Sequence, residues 1–319
     1  MNKNTKNIIA FSFLNGIGAG FIKKNLSFLK SNIESLELLA SLTDKFDLYD
    51  YEFNISLADK IIEDSEKQKI KIVTVLDDDY PPQLLEIKDP PPVLYCKGNL
   101  ELLDKAIAVI GTRKSTELGN KIAGKVGQYF SKNWAICNGL VDGIDKNLVF
   151  IDGKILPHVI GVLSGGLDYK HTCPKLTSEL ADLVLNNNGL LVSENEPNNK
   201  EDQFSGSKAS RIQAGLSKAL ILIQSSIAGG SKYTIKAFSA LERPIAVIDF
   251  KNNLEYLQGS MFDGNKLLIE KGNQGIMEMC DIKKLDNIHT TKIIRLENST
   301  DYQLIENEIN AGSKLFKAF

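Results

Sequence analysis

Apolar and polar residues follow two different patterns along this chain, and the change falls near residue 70. In the first segment, apolar residues recur at the spacing of amphipathic helices, as in "SNIESLELLASL" and "SLADKIIEDSEKQ". The second stretch begins with Ser56, a residue type that caps helix N-termini. The glycine-rich segment "LNGIGAG" at 14–20 predicts a tight turn between two short helices. We interpret it as a helix-turn-helix packing element; a helix-hairpin-helix clamp on a DNA backbone is the alternative.

From about residue 71, short β-branched runs replace the helical pattern. Their nearly continuous apolar character is typical of strands buried on both faces of a parallel sheet. The runs are "IKIVTVL", "AIAVIG", "NWAICNG", "PHVIGVLSGG", "GLLVSE", "KALILIQ" and "RPIAVID". Helical patterns lie between them at 117–132, 175–187, 207–217 and 232–242. This alternation predicts an open, doubly wound α/β sheet. The proline-rich segment 79–95 predicts an ordered connection leading into that sheet, because proline disrupts central strands and helix interiors.

We therefore divide the chain into a helical N-terminal domain at 1–70, an α/β domain at 71–285 and a C-terminal tail at 286–319 with one helix around 299–311. The net charge of −2 over 319 residues gives no global sign of a nucleic-acid partner. Four cysteines without a CxxC pair indicate reduced thiols and a cytoplasmic location. The start of the chain mimics a secretory signal, but Asn15 interrupts its apolar run. No window reaches the roughly 20 apolar residues of a membrane span, so we expect no membrane association.

Glycine and polar residues follow four of the predicted strands, at the edge of the sheet where ligands gather. These segments are 111–115, 138–145, 164–166 and 225–232. Glycine lets backbone N–H groups approach a ligand, and the helices behind such loops present free donors. We expect Gly111 to provide the close approach and Arg113 to fork two hydrogen bonds to a phosphate. The four loops together predict an anion site.

The local charge favours a polyanion over a mononucleotide. Between residues 208 and 243 there are six basic residues and a single acid, Glu242. The basic residues are Lys208, Arg211, Lys218, Lys232, Lys236 and Arg243. Some of them are expected to be solvated helix faces. By contrast, residues 27–70 hold ten acidic and five basic side chains, which argues against DNA binding there.

Catalytic and metal sites have weaker support in the sequence. It contains no GxSxG elbow, Walker A loop or GxGxxG fingerprint. His158 is expected to be packed or at the surface, and Glu194 to be a structural cap rather than a general base. Asp142, Asp145 and Asp168 lie in predicted loops where Mg²⁺ is conceivable, but no further pattern supports it. We expect no metal, no cofactor and no enzymatic activity.

Eight collinear segments within about 65–285 resemble the motifs of the DprA/Smf family of DNA-processing proteins. "AIAVIGTRKSTELG" resembles the family's GSR-x-x-S/T-x-x-G, and "CNGLVDGID" is similar to SGLARGID. "FSGSKASRIQAGLSKALILIQ" resembles FPxRNRIIAGLS, and "GGSKYTIKAFSALERPIAVI" resembles GSLxTAxxAxExGRxVFAVP. The others are "YPPQLLEIKDPPPVLYCKGN", "VIGVLSGGLDYKHTCPKLTSEL", "GLLVSENEP" and "GNKLLIEKGNQGI".

The resemblance implies an extended Rossmann-like domain, with a small N-terminal domain that is SAM-like or helix-hairpin-helix-like. It implies a homodimer that binds and protects single-stranded DNA and helps load a RecA-type recombinase in natural transformation, competence and DNA recombination. The strand ends and the resemblance together give twelve candidate DNA- or phosphate-binding residues. They are Gly111, Thr112, Arg113, Ser115, Asn138, Gly139, Lys208, Arg211, Gly230, Ser231, Lys232 and Thr234.

The chain departs from the family pattern at three places. The histidine that follows the family's "GID" is absent, and the RNR motif keeps only its last arginine, as Arg211. Asp142 replaces a basic residue, which puts negative charge beside the expected phosphate pocket. These departures raise the alternative of a specialised or phage-associated paralogue with altered DNA binding, or of a scaffold that has lost its ligand.

A different class of function stays open beside DNA binding: a sensor or hydrolase of a small nucleotide. Related Rossmann-like phosphoribohydrolases use a PGGxGTxxE loop with a catalytic glutamate. Here "AGGSKYTIKA" has Lys236 or its neighbours where that acid would fall. The sequence therefore favours binding over hydrolysis.

Overall fold

A nine-stranded sheet forms the centre of the molecule in the computed structural model, which describes residues 3–250, 253, 256 and 259–315. Two further strands, β5 and β6, pair as a separate antiparallel hairpin. The strands are β1 (Lys71–Thr74), β2 (Val93–Gly98), β3 (Ala106–Ile110), β4 (Ala135–Asn138), β5 (Phe150–Ile151), β6 (Lys154–Ile155), β7 (Val159–Val162), β8 (Leu190–Ser193), β9 (Ser217–Leu222), β10 (Ile245–Ile248) and β11 (Ile293–Leu296). Each of the seven apolar runs in the sequence corresponds to one of these strands, although β9 begins one residue before its run.

The strand order across the sheet is β1-β2-β8-β7-β4-β3-β9-β10-β11. Strand β2 runs antiparallel to both of its neighbours, whereas all pairs from β8 to β11 are parallel. The chain leaves β3 toward one edge through β4, β7 and β8, and returns as β9 on the other side of β3. Such a reversal is a topological switch point, where the carboxyl ends of neighbouring strands open a crevice. The predicted doubly wound, mostly parallel α/β fold is confirmed.

Helices cover both faces of the sheet and form an N-terminal cluster. They are α1 (Lys3–Ser12), α2 (Ala19–Lys24), α3 (Leu26–Asn32), α4 (Leu36–Leu42), α5 (Leu48–Lys67), α6 (Glu117–Phe130), α7 (Ile144–Val149), α8 (Tyr169–Thr172), α9 (Lys175–Asn186), α10 (Ser205–Leu216), α11 (Ser231–Ser239), α12 (Asp263–Lys271), α13 (Asn273–Cys280) and α14 (Tyr302–Leu315). The four helices predicted between strands correspond to α6, α9, α10 and α11, with ends that differ by at most three residues. No helix of the described residues is long and apolar enough to cross a membrane.

The N-terminal helices pack against the sheet rather than standing apart from it. Helix α1 lies along α5, and Ile9 and Ala58 join the same core as the strand residue Ile72. The predicted turn at 14–20 separates α1 from α2, with Gly16 at a φ of +82°. The expected helix start at Ser56 is wrong, because α5 runs continuously through this residue. The side chain of Asp47 caps α5 instead, by accepting the N–H of Asp50 at 2.9 Å.

The short strands β5 and β6 were not predicted, and two strands of the nine-stranded sheet also lie in segments where the sequence pattern predicted none. The proline-rich connection contains a 3-10 turn at Pro82–Glu86 and then leads into β2, which begins directly after Pro92. In the segment called a tail, β11 pairs in parallel with β10. The helix expected around 299–311 is present as a 3-10 turn at Ser299–Asp301 followed by α14. The division of the chain at residues 70 and 285 stays a prediction.

Candidate nucleic-acid interface

The loops that follow β3 and β9 meet at the switch point of the sheet. The backbone N–H of Thr112 donates to the carbonyl oxygen of Gln224 at 2.8 Å and ties the two loops together. A Cβ on Gly111 would lie 2.4 Å from the side chain of Ile144 on α7. Glycine is therefore required at residue 111 because α7 packs closely against it. The sequence had indicated only a close approach to a ligand at this position.

A cavity of about 670 Å³ opens at this edge of the sheet. The loops after β3, β4, β7 and β9 all contribute to its wall, together with one face of α10. Seven of the twelve predicted binding residues line it: Gly111, Thr112, Arg113, Gly139, Gly230, Ser231 and Thr234. Their role in binding stays a prediction, but the fold brings these seven to one site.

Three other predicted residues lie outside the lining of the cavity. Ser115 donates its hydroxyl to Asn120 Oδ1 at 2.5 Å. Asn138 is completely buried, donating to the carbonyl of Asp145 and accepting the N–H of Leu140. Lys232 stands beside the cavity with its Nζ 5.6 Å from the centre of the Tyr233 ring. In this structure the side chains of Ser115 and Asn138 stabilise the loops around the site.

Arg211 is held by carboxylates, and Lys208, the remaining candidate, is exposed one helical turn before it. The guanidinium of Arg211 donates to both oxygens of Glu194, at 2.7 and 2.6 Å, and its Nε contacts Asp89 at 3.1 Å. Burial opposes the charge of Arg211, but the hydrogen bonds and charge of Glu194 and Asp89 outweigh it and raise the pKa of Arg211. Its charge is thus already balanced inside the fold, which the sequence did not indicate.

Arg243 also belongs to the fold rather than to a solvated basic surface. It is 8% exposed, and its Nη1 donates to the carbonyl oxygens of Gly215 at 2.9 Å and Ser217 at 2.6 Å. These carbonyls lie where α10 ends and β9 begins. The basic cluster of residues 208–243 therefore contains at least two cations, Arg211 and Arg243, that are engaged in internal pairs.

The start of α11 brings a buried serine hydroxyl to the cavity. Gly230 precedes the helix and provides no side-chain cap, and the N–H groups of Lys232 and Tyr233 donate to the backbone carbonyls of Gly229 at 3.2 Å and Gly230 at 3.1 Å. Ser231 is 5% exposed, and its Oγ has no hydrogen-bond partner among the described residues. A buried hydroxyl without a partner is unfavourable by about 1–3 kcal/mol. A helix N-terminus with such a group is suited to an anion.

Asp145, not Asp142, supplies the negative charge in the cavity. Asp142 is exposed and lies outside the lining, directly after the lining residue Val141, and its effect on a bound phosphate stays a prediction. Asp145 lines the cavity and accepts the N–H of Gly139 at 2.9 Å. Burial raises the pKa of Asp145 to about 7, against the N–H groups of Gly139 and Val141 and the charge of Arg113, which lower it. In the described part of the chain, no group of three or more His, Cys, Asp and Glu side chains is placed to hold a metal ion.

A family model described as DNA recombination-mediator protein A matches residues 71–285. The chain belongs to this family. Among curated members, the DNA processing protein DprA of Bacillus subtilis is 32% identical over 223 residues, which cover 68% of this chain and 71% of the relative. The DNA processing protein DprA of Streptococcus pneumoniae is 32% identical over 200 residues, covering 62% of this chain and 67% of that protein.

Solved structures of family members share the fold. The X-ray structure of DprA from Streptococcus pneumoniae aligns with a TM-score of 0.73 at 25% identity, covering 95% of this chain and 98% of that one. A structure of DNA processing protein A from Helicobacter pylori aligns with a TM-score of 0.57 at 22% identity, covering 75% of this chain and 97% of that one. That structure concerns the single-stranded DNA binding mode of the Helicobacter pylori protein.

Two aromatic residues at the cavity of this family member were not among the sequence-based candidates. Phe204 is 59% exposed and Tyr233 is 49% exposed, and both line the cavity. Phe204 opens the motif segment "FSGSK", which was the available signal, while Tyr233 lies on α11 in the motif segment "GGSKYTIKA". Exposure of an aromatic ring cannot be inferred from sequence spacing when the helix has no clear apolar stripe. The structure places both rings at the cavity.

Proposed function

We propose that this chain binds single-stranded DNA through the cavity at the carboxyl edge of the sheet, and that it is a DNA-binding protein rather than an enzyme. The observation that carries the proposal is the buried Oγ of Ser231 at the start of α11, which has no hydrogen-bond partner among the residues that the structure describes and lies in a cavity that Arg113 also lines. Family membership agrees with this activity, and the Helicobacter pylori relative is described as a single-stranded DNA binder.

The phosphate side of the proposed site has an exposed cation and a buried serine hydroxyl. Arg113 is exposed and makes no hydrogen bond or close ion pair with any residue that the structure describes. Lys114 lines the cavity next to it. A guanidinium that is not engaged elsewhere can form two parallel hydrogen bonds to a phosphate. The start of α11 adds the Ser231 hydroxyl to the same cavity.

The base side of the proposed site is aromatic. Phe204 and Tyr233 are half-exposed or more, on different elements that both border the cavity. Exposed aromatic rings beside cationic groups are the usual platform on which single-stranded bases stack. A duplex keeps its bases stacked on each other, so this arrangement favours a single strand.

We further propose that the chain acts in the cytoplasm as a homodimer that helps load a RecA-type recombinase onto the bound strand. The family description, recombination mediator, supports this step. The test is strand exchange by RecA on DNA already coated with a single-strand binding protein. Addition of this chain is expected to shorten the lag. An unchanged lag, together with normal DNA binding, would contradict the proposed recombinase loading but not the proposed DNA site.

The main experiment measures binding of a 30-nucleotide oligo-dT by fluorescence anisotropy over a salt series. Affinity is expected to fall as salt rises, because phosphate contacts release counterions. Arg113→Ala should weaken binding by about 1–3 kcal/mol and reduce the salt dependence by roughly one counterion. Lys30→Ala, an exposed lysine on α3, is the matched control.

Two results would count against the proposal. One is no binding by the wild type at low salt, and the other is equal binding by wild type and Arg113→Ala. Melting temperatures measured with mononucleotides and with oligo-dT distinguish DNA binding from the remaining alternative. A melting temperature raised by several degrees with a mononucleotide, and unchanged with oligo-dT, would favour the small-nucleotide sensor.

A further inference from the structure

Gln213 places a carboxamide in the buried part of the cavity. We call this part, which contains Gln213 and Asp145, the floor. Gln213 lies on α10, is 7% exposed and lines the cavity. A Cβ built on Gly139 would be 3.2 Å from Gln213 Nε2 and 3.3 Å from Asp145 Oδ2. The two polar groups therefore converge on the same point, where the loop after β4 meets α10.

The carboxamide of Gln213 forms no hydrogen bond with any residue in the described part of the chain. Although most of the Gln213 side chain is buried, it lines the open cavity, where its amide can offer two donors and an acceptor to a ligand. Packing alone does not require an amide here, because an apolar side chain of the same length fills the same space. The family motif that "RIQAGLS" resembles has isoleucine at the position of Gln213. The polar group is therefore a feature of this chain that the family motif does not explain.

Arg113, Lys114 and the start of α11 form the part of the cavity that suits phosphate, which we call the rim. The floor differs from the rim in charge, because it contains the carboxyl group of Asp145. A phosphate on the floor would lie against this acid. The lining also contains the apolar Val162 and Ala209, together with the small polar side chains of Ser164 and Ser210. A neutral, flat ligand with a polar edge and apolar faces matches such a floor.

We propose that the floor of the cavity receives the edge of one nucleobase of the bound strand, and that Gln213 hydrogen-bonds to that edge and makes binding dependent on the base. This inference rests on the proposed function, because it requires that a strand occupies the rim. A carboxamide pairs its donor and its acceptor with neighbouring groups on a base edge. Gln213 is thus a specificity-determining residue, while the rim provides affinity that does not depend on the base.

The test compares four 20-nucleotide probes: dT, dC, dA and a strand of the same length whose sugars lack bases. Wild type is expected to bind the three base-containing probes with unequal affinities, and the abasic probe most weakly. Gln213→Met keeps the length of the side chain and removes its hydrogen-bonding groups. It should lose about 3- to 10-fold on the preferred base, the range of one neutral hydrogen bond. The differences among bases should shrink, and binding of the abasic probe should be unchanged.

The controls separate this inference from the proposed function. Phe204→Ala should weaken all base-containing probes together, because stacking tolerates any base. Equal losses by Gln213→Met on all four probes, or no loss on any, would overturn the role of Gln213 while leaving DNA binding in place. Equal affinity of the wild type for dT, dC and dA would also overturn it, without any variant. Failure of the wild type to bind any probe would contradict both the proposed DNA binding and the proposed role of Gln213.

Discussion

The side-chain oxygen of Gln224 accepts two hydrogen bonds from Thr116, one from its N–H at 3.1 Å and one from its Oγ1 at 3.2 Å. Gln224 follows β9 and is completely buried, and Thr116 caps α6. This contact fixes the end of the loop that carries Arg113 to the neighbouring strand. The position of Arg113, which we propose to bind phosphate, is therefore set by the sheet and not by the loop alone.

Gly119→Ala is expected to disturb this anchor. A Cβ at residue 119 would lie 2.2 Å from Gln224 Oε1, and this completely buried oxygen would have to move away from both of its hydrogen bonds with Thr116. Overpacking of this kind destabilises a protein by about 1–3 kcal/mol. Urea unfolding should show that loss, and oligo-dT binding should weaken as the Arg113 loop loosens. Gly124→Ala on the same helix meets no atom closer than 3.6 Å and is the control. Similar stability of the two variants would show that Gln224 is not a rigid anchor.

Ser231→Ala is expected to affect stability and binding in opposite directions. The substitution removes a buried hydroxyl that has no partner in the described part of the chain, so the free energy of unfolding should stay the same or rise. The same substitution removes a donor to the proposed phosphate, so oligo-dT affinity should fall by about 0.5–1.5 kcal/mol. Urea unfolding and anisotropy measure the two effects. A loss of stability with unchanged affinity would assign Ser231 to the fold.

The sequence predicts the sheet well because buried parallel strands are nearly continuous in apolar residues. Strand β11 breaks that rule: its four residues include the exposed Arg295, so the pattern does not separate it from a loop. Strand β2 was hidden by the prolines that immediately precede it. In both cases pairing with a neighbouring strand, rather than local pattern, decides the structure.

The candidate site could be predicted only in part, because charge in sequence does not indicate partners in space. Strand ends bring Arg113 and Ser231 to one cavity, as expected from the parallel topology. Arg211 and Arg243 look equally suitable in the sequence. Their carboxylate and carbonyl partners come from distant segments, at Glu194, Asp89 and residues 214–217, which spacing along the chain does not reveal.

Phe204→Ala tests the aromatic platform. The ring is 59% exposed, so its removal should leave the unfolding free energy nearly unchanged. Loss of one stacked base should weaken oligo-dT binding by about 1–3 kcal/mol. Phe53→Ala is the matched control, because Phe53 is 66% exposed on the acidic helix α5 and lies outside the cavity lining. Equal effects of the two substitutions on binding would exclude Phe204 as a stacking residue.

Asp145 makes both stability and DNA binding depend on pH. Its folded-state pKa of about 7 is raised above the ordinary value by burial, so the folded protein binds an extra proton between the two values. The stabilisation that comes from protonated Asp145 is complete below about pH 4 and is lost as pH rises through 7. Over this range the free energy of unfolding should fall by at most about 1.4 kcal/mol per pH unit. Asp145→Asn keeps an acceptor for the N–H of Gly139, removes the ionisation and should flatten this slope in urea unfolding.

The same ionisation predicts weaker DNA binding at higher pH. Between pH 6 and 8 the carboxyl group of Asp145 acquires a negative charge inside the cavity, near the site proposed for phosphate. Like charge opposes the strand, so oligo-dT affinity of the wild type should fall over this range, and bound DNA should shift the pKa of Asp145 upward. Asp145→Asn should bind equally at pH 6 and 8. Asp142→Asn, at an exposed acid outside the cavity lining, should retain the wild-type dependence. If Asp142→Asn instead abolishes it, the charge that opposes the strand lies on the exposed loop and not in the cavity.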